Sequence, residues 1–136
     1  MILKQISIFL ENKEGQLSFP CQLLADNGIN ITAACLADTS EFGILRLIIE
    51  NHETATKILQ ENGYAVNITE VVAVAVSDEP GGLSKILEVV DAQKLNVEYM
   101  YAFSTKNKEK ALLVFRFSDP ELAARVLQDY EVPTIW

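Results

Sequence analysis

Apolar and polar positions along the chain follow one pattern twice. Ile6, Ile8 and Leu10 alternate with Gln5, Ser7 and Phe9, the period of a half-buried strand. Val72, Val74 and Val76 repeat this with Ala73 and Ala75 between them. After each run comes a turn-forming stretch, Glu11–Ser18 and Ser77–Ser84, and then helical spacing: Leu17, Cys21 and Leu24 in one case, Leu83, Ile86, Leu87 and Val90 in the other. Gly15 and Gly81 are offset by 66 positions, as are Leu17 and Leu83, and the same offset carries Gly28-Ile29-Asn30-Ile31 onto Lys94-Leu95-Asn96-Val97. The chain is a duplication, and a unit this long that occurs only twice describes two tandem domains rather than a solenoid.

The remaining segments complete each copy. Gly28 is placed to end the first helix in a left-handed cap, whereas Lys94 stands in its place in the second copy, whose helix is expected to end differently. Pro20 is expected to delay or kink the first helix. Two extended runs follow in each copy, Ile31–Ala37 with Ile44–Glu50 and Val97–Phe103 with Ala111–Phe117, and they predict hairpins turning through Asp38–Gly43 and Ser104–Lys110. Asn51-His52-Glu53 and Asp119-Pro120-Glu121 then mark helix starts, with His52 taken as a solvated capping residue. Tyr64–Ile68 and Val132–Trp136 are the expected closing strands.

Each unit therefore reads β-α-β-β-α-β, an α+β ferredoxin-like arrangement with both helices on one face of an antiparallel sheet. The expected domains are residues 1–70 and 71–136, with their sheets packed side by side. Thr69-Glu70 leads from one into the other without a flexible linker.

Composition narrows the function. Of 136 residues 49% are apolar, enough for a core, yet a half-chain buries too little to be comfortable alone, so the halves are expected to pack on each other and on a second chain. Nineteen acidic against eleven basic side chains give a formal charge of −8, which repels a phosphate backbone and argues against nucleic acid. The longest apolar runs, Val71–Val76 and Ile44–Ile49, are of strand length, so a soluble cytoplasmic protein is expected, without a membrane span. Cys21 and Cys35 form no C-x-x-C pair and read as buried, inert thiols. Tyr99, Tyr101 and Phe103 are assigned to a sheet face or subunit contact. No nucleophile stands beside a base, and neither metal nor cofactor is expected.

What remains is backbone chemistry. A Pro-Gly-Gly-Leu turn opening onto a helix can aim main-chain N–H groups at an anion such as a carboxylate. An attached ammonium would then be met by Asn12, Asn30 or Asn96, or by Asp78. Residue chemistry leaves a second reading open, in which Gly15, Gly81 and Gly82 shape tight turns and the Asn and Asp residues serve as local caps.

Asp78-x-Pro80-Gly81-x-Leu83 followed by Leu95-Asn96-Val97 resembles the signature of the ACT domain, a small regulatory module of amino-acid metabolism. Asn12-x-Glu14-Gly15-x-Leu17 with Gly28-Ile29-Asn30-Ile31 is similar, although Glu14 stands where proline is usual. The resemblance covers the whole chain. It implies units that pair side by side and hold an amino acid between them, the first turn of one facing strand residues of the other. In serine-binding members two asparagines hold the ligand, at positions matching Asn12 and Asn30 here, and Asp78 and Asn96 in the second copy. The implied site residues are Asn12, Gly15, Gln16, Leu17, Asn30 and Ile31, then Asp78, Gly81, Gly82, Leu83, Asn96 and Val97. The expected function is non-enzymatic regulation by an amino-acid ligand, in a homodimer that acts on a partner metabolic enzyme. The alternative is an interaction module that dimerises or docks on such an enzyme without any ligand.

Overall fold

The computed structural model describes residues 1–38, 40–104 and 109–130. The chain divides into two compact units, Lys4–Thr69 and Glu70 onward, with Met1–Leu3 belonging to the latter. The elements run β1 (Ile2–Glu11), α1 (Ser18–Asp26), β2 (Ala33–Asp38), β3 (Phe42–Ile48), α2 (His52–Glu61), β4 (Val66–Ser77), α3 (Gly82–Ala92), β5 (Val97–Ser104), β6 (Lys110–Phe117) and α4 (Pro120–Val126). The two antiparallel α+β units expected from the repeat are present. The closing strand of the first copy and the opening strand of the second are one continuous strand, β4. The expected strand Val132–Trp136 and most of the turn Ser104–Lys110 lie outside the described residues.

In the first unit β3 pairs with β1 (Gln5 opposite Ile48, Glu11 opposite Phe42) and with β2 (Ala33 opposite Ile48, Asp38 opposite Gly43), antiparallel on both sides. One face carries Ile6, Ile8, Leu10, Leu45 and Leu47, closed by Leu24 of α1 and by Ala55 and Leu59 of α2. Each fully buried leucine here contributes roughly 2 kcal/mol of apolar transfer. The second unit repeats the scheme with β6 between β4 and β5, and with Val72, Val74, Val76, Leu113, Phe115 and Phe117 against Ile86, Val90, Ala123 and Leu127. Phe115 and Phe117 stack with ring centroids 5.3 Å apart.

The sheets are buried more fully than alternation predicts. Gln5 and Ser7 face away from the helices yet are 0% and 6% exposed, and Val71, Ala73, Leu112 and Val114 are equally covered. Burial is tolerable for Gln5 because its amide donates to Ser7 Oγ at 3.2 Å, leaving its polar group satisfied. Tyr99, Tyr101 and Phe103 are half-buried on β5, along the sheet as expected.

Other expectations need correction. Leu17 and Leu83, assigned to the apolar helix faces, are 42% and 40% exposed, because both stand at the helix start rather than over the core. Both cysteines are half-exposed rather than buried. The α2 cap is Asn51, whose side chain accepts from the Thr54 N–H, and His52 is the first helical residue. Lys94 ends α3 as Gly28 ends α1. In each case the residue after the cap adopts positive φ, 53° and 70°, and two backbone bonds close the end: Gly28 N–H to Ala25 O with Ile29 N–H to Leu24 O, and Lys94 N–H to Asp91 O with Leu95 N–H to Val90 O. Pro20 falls in the first turn of α1, where no intrahelical donor is required, and α1 begins two positions later than α3 in repeat register.

Candidate functional site

The turn after β1 is built from local bonds. Asn12 N–H donates to Glu41 O at 3.0 Å, tying it to the β2–β3 hairpin, and Lys13 N–H donates to Glu11 O. Gly15 has φ +80°, and the Ser18 hydroxyl donates to its carbonyl at 3.1 Å. The turn after β4 has the same plan: Asp78 N–H donates to Glu109 O at 2.9 Å, and Gly81 has φ +90°. A left-handed residue without a β-carbon is what such a bend requires.

The four helices differ at their first turns. Asn51 caps α2 and Asp119 caps α4, its Oδ1 accepting from Leu122 N–H at 3.0 Å. No side chain caps α1 or α3. The first amides of a helix have no intrahelical acceptor, so these two ends present donors and a positive dipole end. Not every amide is available, since Gly82 N–H is taken by Glu79 O at 3.1 Å and Pro20 has none. The first-turn amides of Ser18 and Phe19, and of Leu83 and Ser84, are the ones such ends leave without an i−4 helical acceptor.

The residues named from the sequence do not gather within one unit. Asn12, Gly15, Gln16 and Leu17 follow the last residue of β1, whereas Asn30 and Ile31 precede the first of β2. Because β1 and β2 both run antiparallel to β3, they are parallel to each other, and Asn30 lies at the sheet end where β1 begins. From Gln5 to Glu11 a strand spans roughly 20 Å, which separates Asn12 from Asn30 within a unit. Asp78 and Asn96 are divided in the same way by β6, which runs from Lys110 to Phe117 between them.

Side-chain engagement also differs. Asn12, Asn30 and Asp78 are exposed. Ile31 and Val97 are half-buried against their cores. Asn96 is held, its Nδ2 donating to Ser118 Oγ at 2.9 Å while its carbonyl accepts from Ser118 N–H at 3.2 Å. Gly82 is buried, and a β-carbon there would fall on the Ser77 carbonyl oxygen.

Charges near the turns are exposed. Lys13 pairs with Glu11 at 2.6 Å and Lys85 with Glu79 at 3.9 Å. Burial raises the Cys21 thiol above its usual value, and Tyr64 is raised by burial and then by the neighbouring Cys21. A surface depression of about 470 Å³ lined by Glu50, Asn51, His52 and Glu53 contains none of the residues named from the sequence. Among the described residues no group of His, Cys, Asp and Glu is arranged to hold a metal, and no helix is long and apolar enough to cross a membrane.

Two repeats of ferredoxin-like order, each with a glycine bend opening onto an uncapped helix, define a tandem α+β module. The chain belongs to the ACT domain pair family, whose model matches residues 1–133. Among solved structures, protein BT0572 from Bacteroides thetaiotaomicron is 42% identical, with 95% of this chain and 88% of that one covered and a TM-score of 0.89. The ligand-free regulatory subunit of aspartate kinase from Thermus thermophilus is 17% identical over 92% of this chain and 90% of that one, with a TM-score of 0.64. Its counterpart from Thermus flavus gives 16% identity, the same coverage and 0.63, a likeness of fold. Comparison with curated protein sequences returns no match. ACT domain proteins of the regulatory type are typically non-catalytic.

Proposed function

We propose that this protein is a non-enzymatic sensor that binds an amino acid between two ACT units. The observation that carries this is the contrast in capping: the two helices that follow glycine bends are the two without a side-chain cap, while α2 and α4 are capped. A ligand carboxylate supplies the missing acceptor, and uncharged amide side chains meet its ammonium.

The separation of Asn12 from Asn30 along the sheet sets the rest. A ligand about the size of an amino acid cannot touch both within one unit, so the reading needs the bend of one unit and the strand start of another. Such a ligand bridges an interface, and its differential affinity for two arrangements of that interface is what regulates.

Isothermal titration of the full chain with each of the common amino acids tests this. Binding of at least one is expected, lost on Asn30→Ala with the fold retained by circular dichroism. No heat from any amino acid would overturn the proposal and leave the interaction module that docks without a ligand.

A further inference from the structure

We infer that Asn27 and Asn62, which end the two helices of the first unit, are latent sites of covalent modification. Each deamidates through attack of the following glycine nitrogen, and the folded helix end holds that reaction shut.

The sequence singles out these two residues. Asparagine loses its amide fastest when glycine follows, because a β-carbon at that position obstructs approach of the backbone nitrogen to Cγ. Only Asn27 and Asn62 are followed by glycine; the other asparagines precede Lys13, Ile31, His52, Ile68, Val97 and Lys108. The two pairs close matching segments, Leu23-Leu24-Ala25-Asp26-Asn27-Gly28 and Ile58-Leu59-Gln60-Glu61-Asn62-Gly63. In repeat register Asn27 and Gly28 become Gln93 and Lys94, and Asn62 becomes Tyr130, so the second unit has no such pair.

Solvent water alone balances the chemistry. The glycine nitrogen bonds to Cγ as the Cγ–Nδ2 bond breaks, and ammonia departs with the proton that the glycine nitrogen gives up. The cyclic imide then takes up a water and opens at either carbonyl. Aspartate results, or isoaspartate, in which the main chain runs through the side-chain carbon.

The structure fastens both reactants. Asn27 Nδ2 donates to Leu23 O and Asn62 Nδ2 to Ile58 O, each at 2.8 Å, which ties Cγ to the helix behind it. The nucleophile is tied as well: Gly28 N–H donates to Ala25 O at 3.0 Å and Gly63 N–H to Gln60 O at 3.1 Å. Ring closure requires both bonds to open together. There is room for it, since Asn27, Gly28, Asn62 and Gly63 are exposed and both glycines face open space at φ +70° and +86°. The latch is the next residue. Ile29 and Tyr64 donate their N–H groups to Leu24 O and Leu59 O while their side chains pack against the core. Helix ends open locally at lower cost than the whole fold, so each cap sets the rate of its own asparagine.

The product cannot rebuild the cap. A carboxylate has no proton for Leu23 O or Ile58 O, and it adds negative charge beside Asp26 or Glu61 at the negative end of a helix dipole. Isoaspartate also lengthens the main chain by a carbon. Conversion therefore loosens the element that had guarded against it.

Peptide mapping by mass spectrometry tests this on the full chain, incubated in mildly alkaline buffer with and without urea. Isoaspartate is read separately by methyl transfer from S-adenosylmethionine with an isoaspartyl methyltransferase. In urea Asn27 and Asn62 are expected to convert ahead of every other asparagine, and in the folded protein the same two convert at least about tenfold more slowly. Equal rates in the two states, or earlier conversion of another asparagine, would overturn the inference. Ile29→Ala is expected to speed Asn27 several-fold in the folded protein and leave Asn62 unchanged, with Tyr64→Ala doing the reverse. A joint rise at both sites, or none, in either variant means that the caps do not gate their own residues and overturns it too. The double variant Asn27→Gln/Asn62→Gln is expected to age without accepting methyl groups; undiminished acceptance places the chemistry elsewhere and refutes the assignment. Asn27→Asp and Asn62→Asp are each expected to lower the thermal midpoint, and midpoints equal to that of the native chain would show that the product does rebuild the cap.

Discussion

Gly82 packs against the carbonyl of Ser77 so closely that any side chain at position 82 would overlap that oxygen. Backbone cannot yield as a flexible side chain does, so Gly82→Ala is expected to cost about 3 kcal/mol. Gly81, one residue earlier, faces open space at φ +90°, and Gly81→Ala is expected to lose only the left-handed penalty, about 1 to 2 kcal/mol. Urea unfolding of both variants checks the ranking; equal losses would mean that the contact with Ser77 relaxes freely.

Lys94 holds a left-handed conformation that glycine holds at the equivalent position of the first unit. Lys94→Gly relieves that strain at the cost of greater freedom in the unfolded chain, for a net gain of roughly 0.5 to 1 kcal/mol. The expected thermal midpoint is therefore higher than that of the native chain. Gly28→Lys is the mirror experiment and is expected to lower it by a similar amount.

Asp119 Oδ1 accepts the Leu122 N–H, and Asn51 does the same for Thr54. Removing either cap with alanine is expected to cost about 1 kcal/mol. The same principle predicts that Leu17→Asp, which places a carboxylate at the uncapped start of α1, stabilises the free protein by a few tenths to about 1 kcal/mol and competes with an anionic ligand. A stability gain with ligand affinity unchanged would show that the α1 amides do not receive the carboxylate.

The pH response has a definite sign. Burial raises the Cys21 thiol above its usual 9.0, so the native state keeps this proton at pH values where the unfolded chain has released it. Its contribution is fully present below the unfolded value and is lost as pH rises from there through the raised native value. Tyr64, raised from 10.0, acts in the same direction at higher pH. Thermal midpoints between pH 8 and 10.5 are expected to fall less steeply in Cys21→Ala than in the native chain; identical slopes would remove the thiol from the account.

Much of this molecule is legible in one dimension. Asn51 and Asp119 announce their helices because a cap and its acceptor lie within three residues, and the 66-residue offset between Gly15 and Gly81 exposes the duplication without any contact being known. Leu17 and Leu83 mislead because helical spacing cannot tell a residue over the core from one at the first turn. Gln5 and Ser7 mislead because alternation assumes one wet face. Lys94 hides a left-handed bend because tertiary packing of Leu95 and Val97 holds a conformation that lysine alone disfavours.

The order of elements, the two copies and the chemistry of the glycine bends follow from the sequence, since each depends on residues a few positions apart. That Asn12 and Asn30 are held at opposite ends of one sheet, and that Asn96 is taken by Ser118 while Asn30 is exposed, was decided by strand direction and register. Those follow from hydrogen bonds between strands distant in sequence, and no local pattern of side chains specifies them.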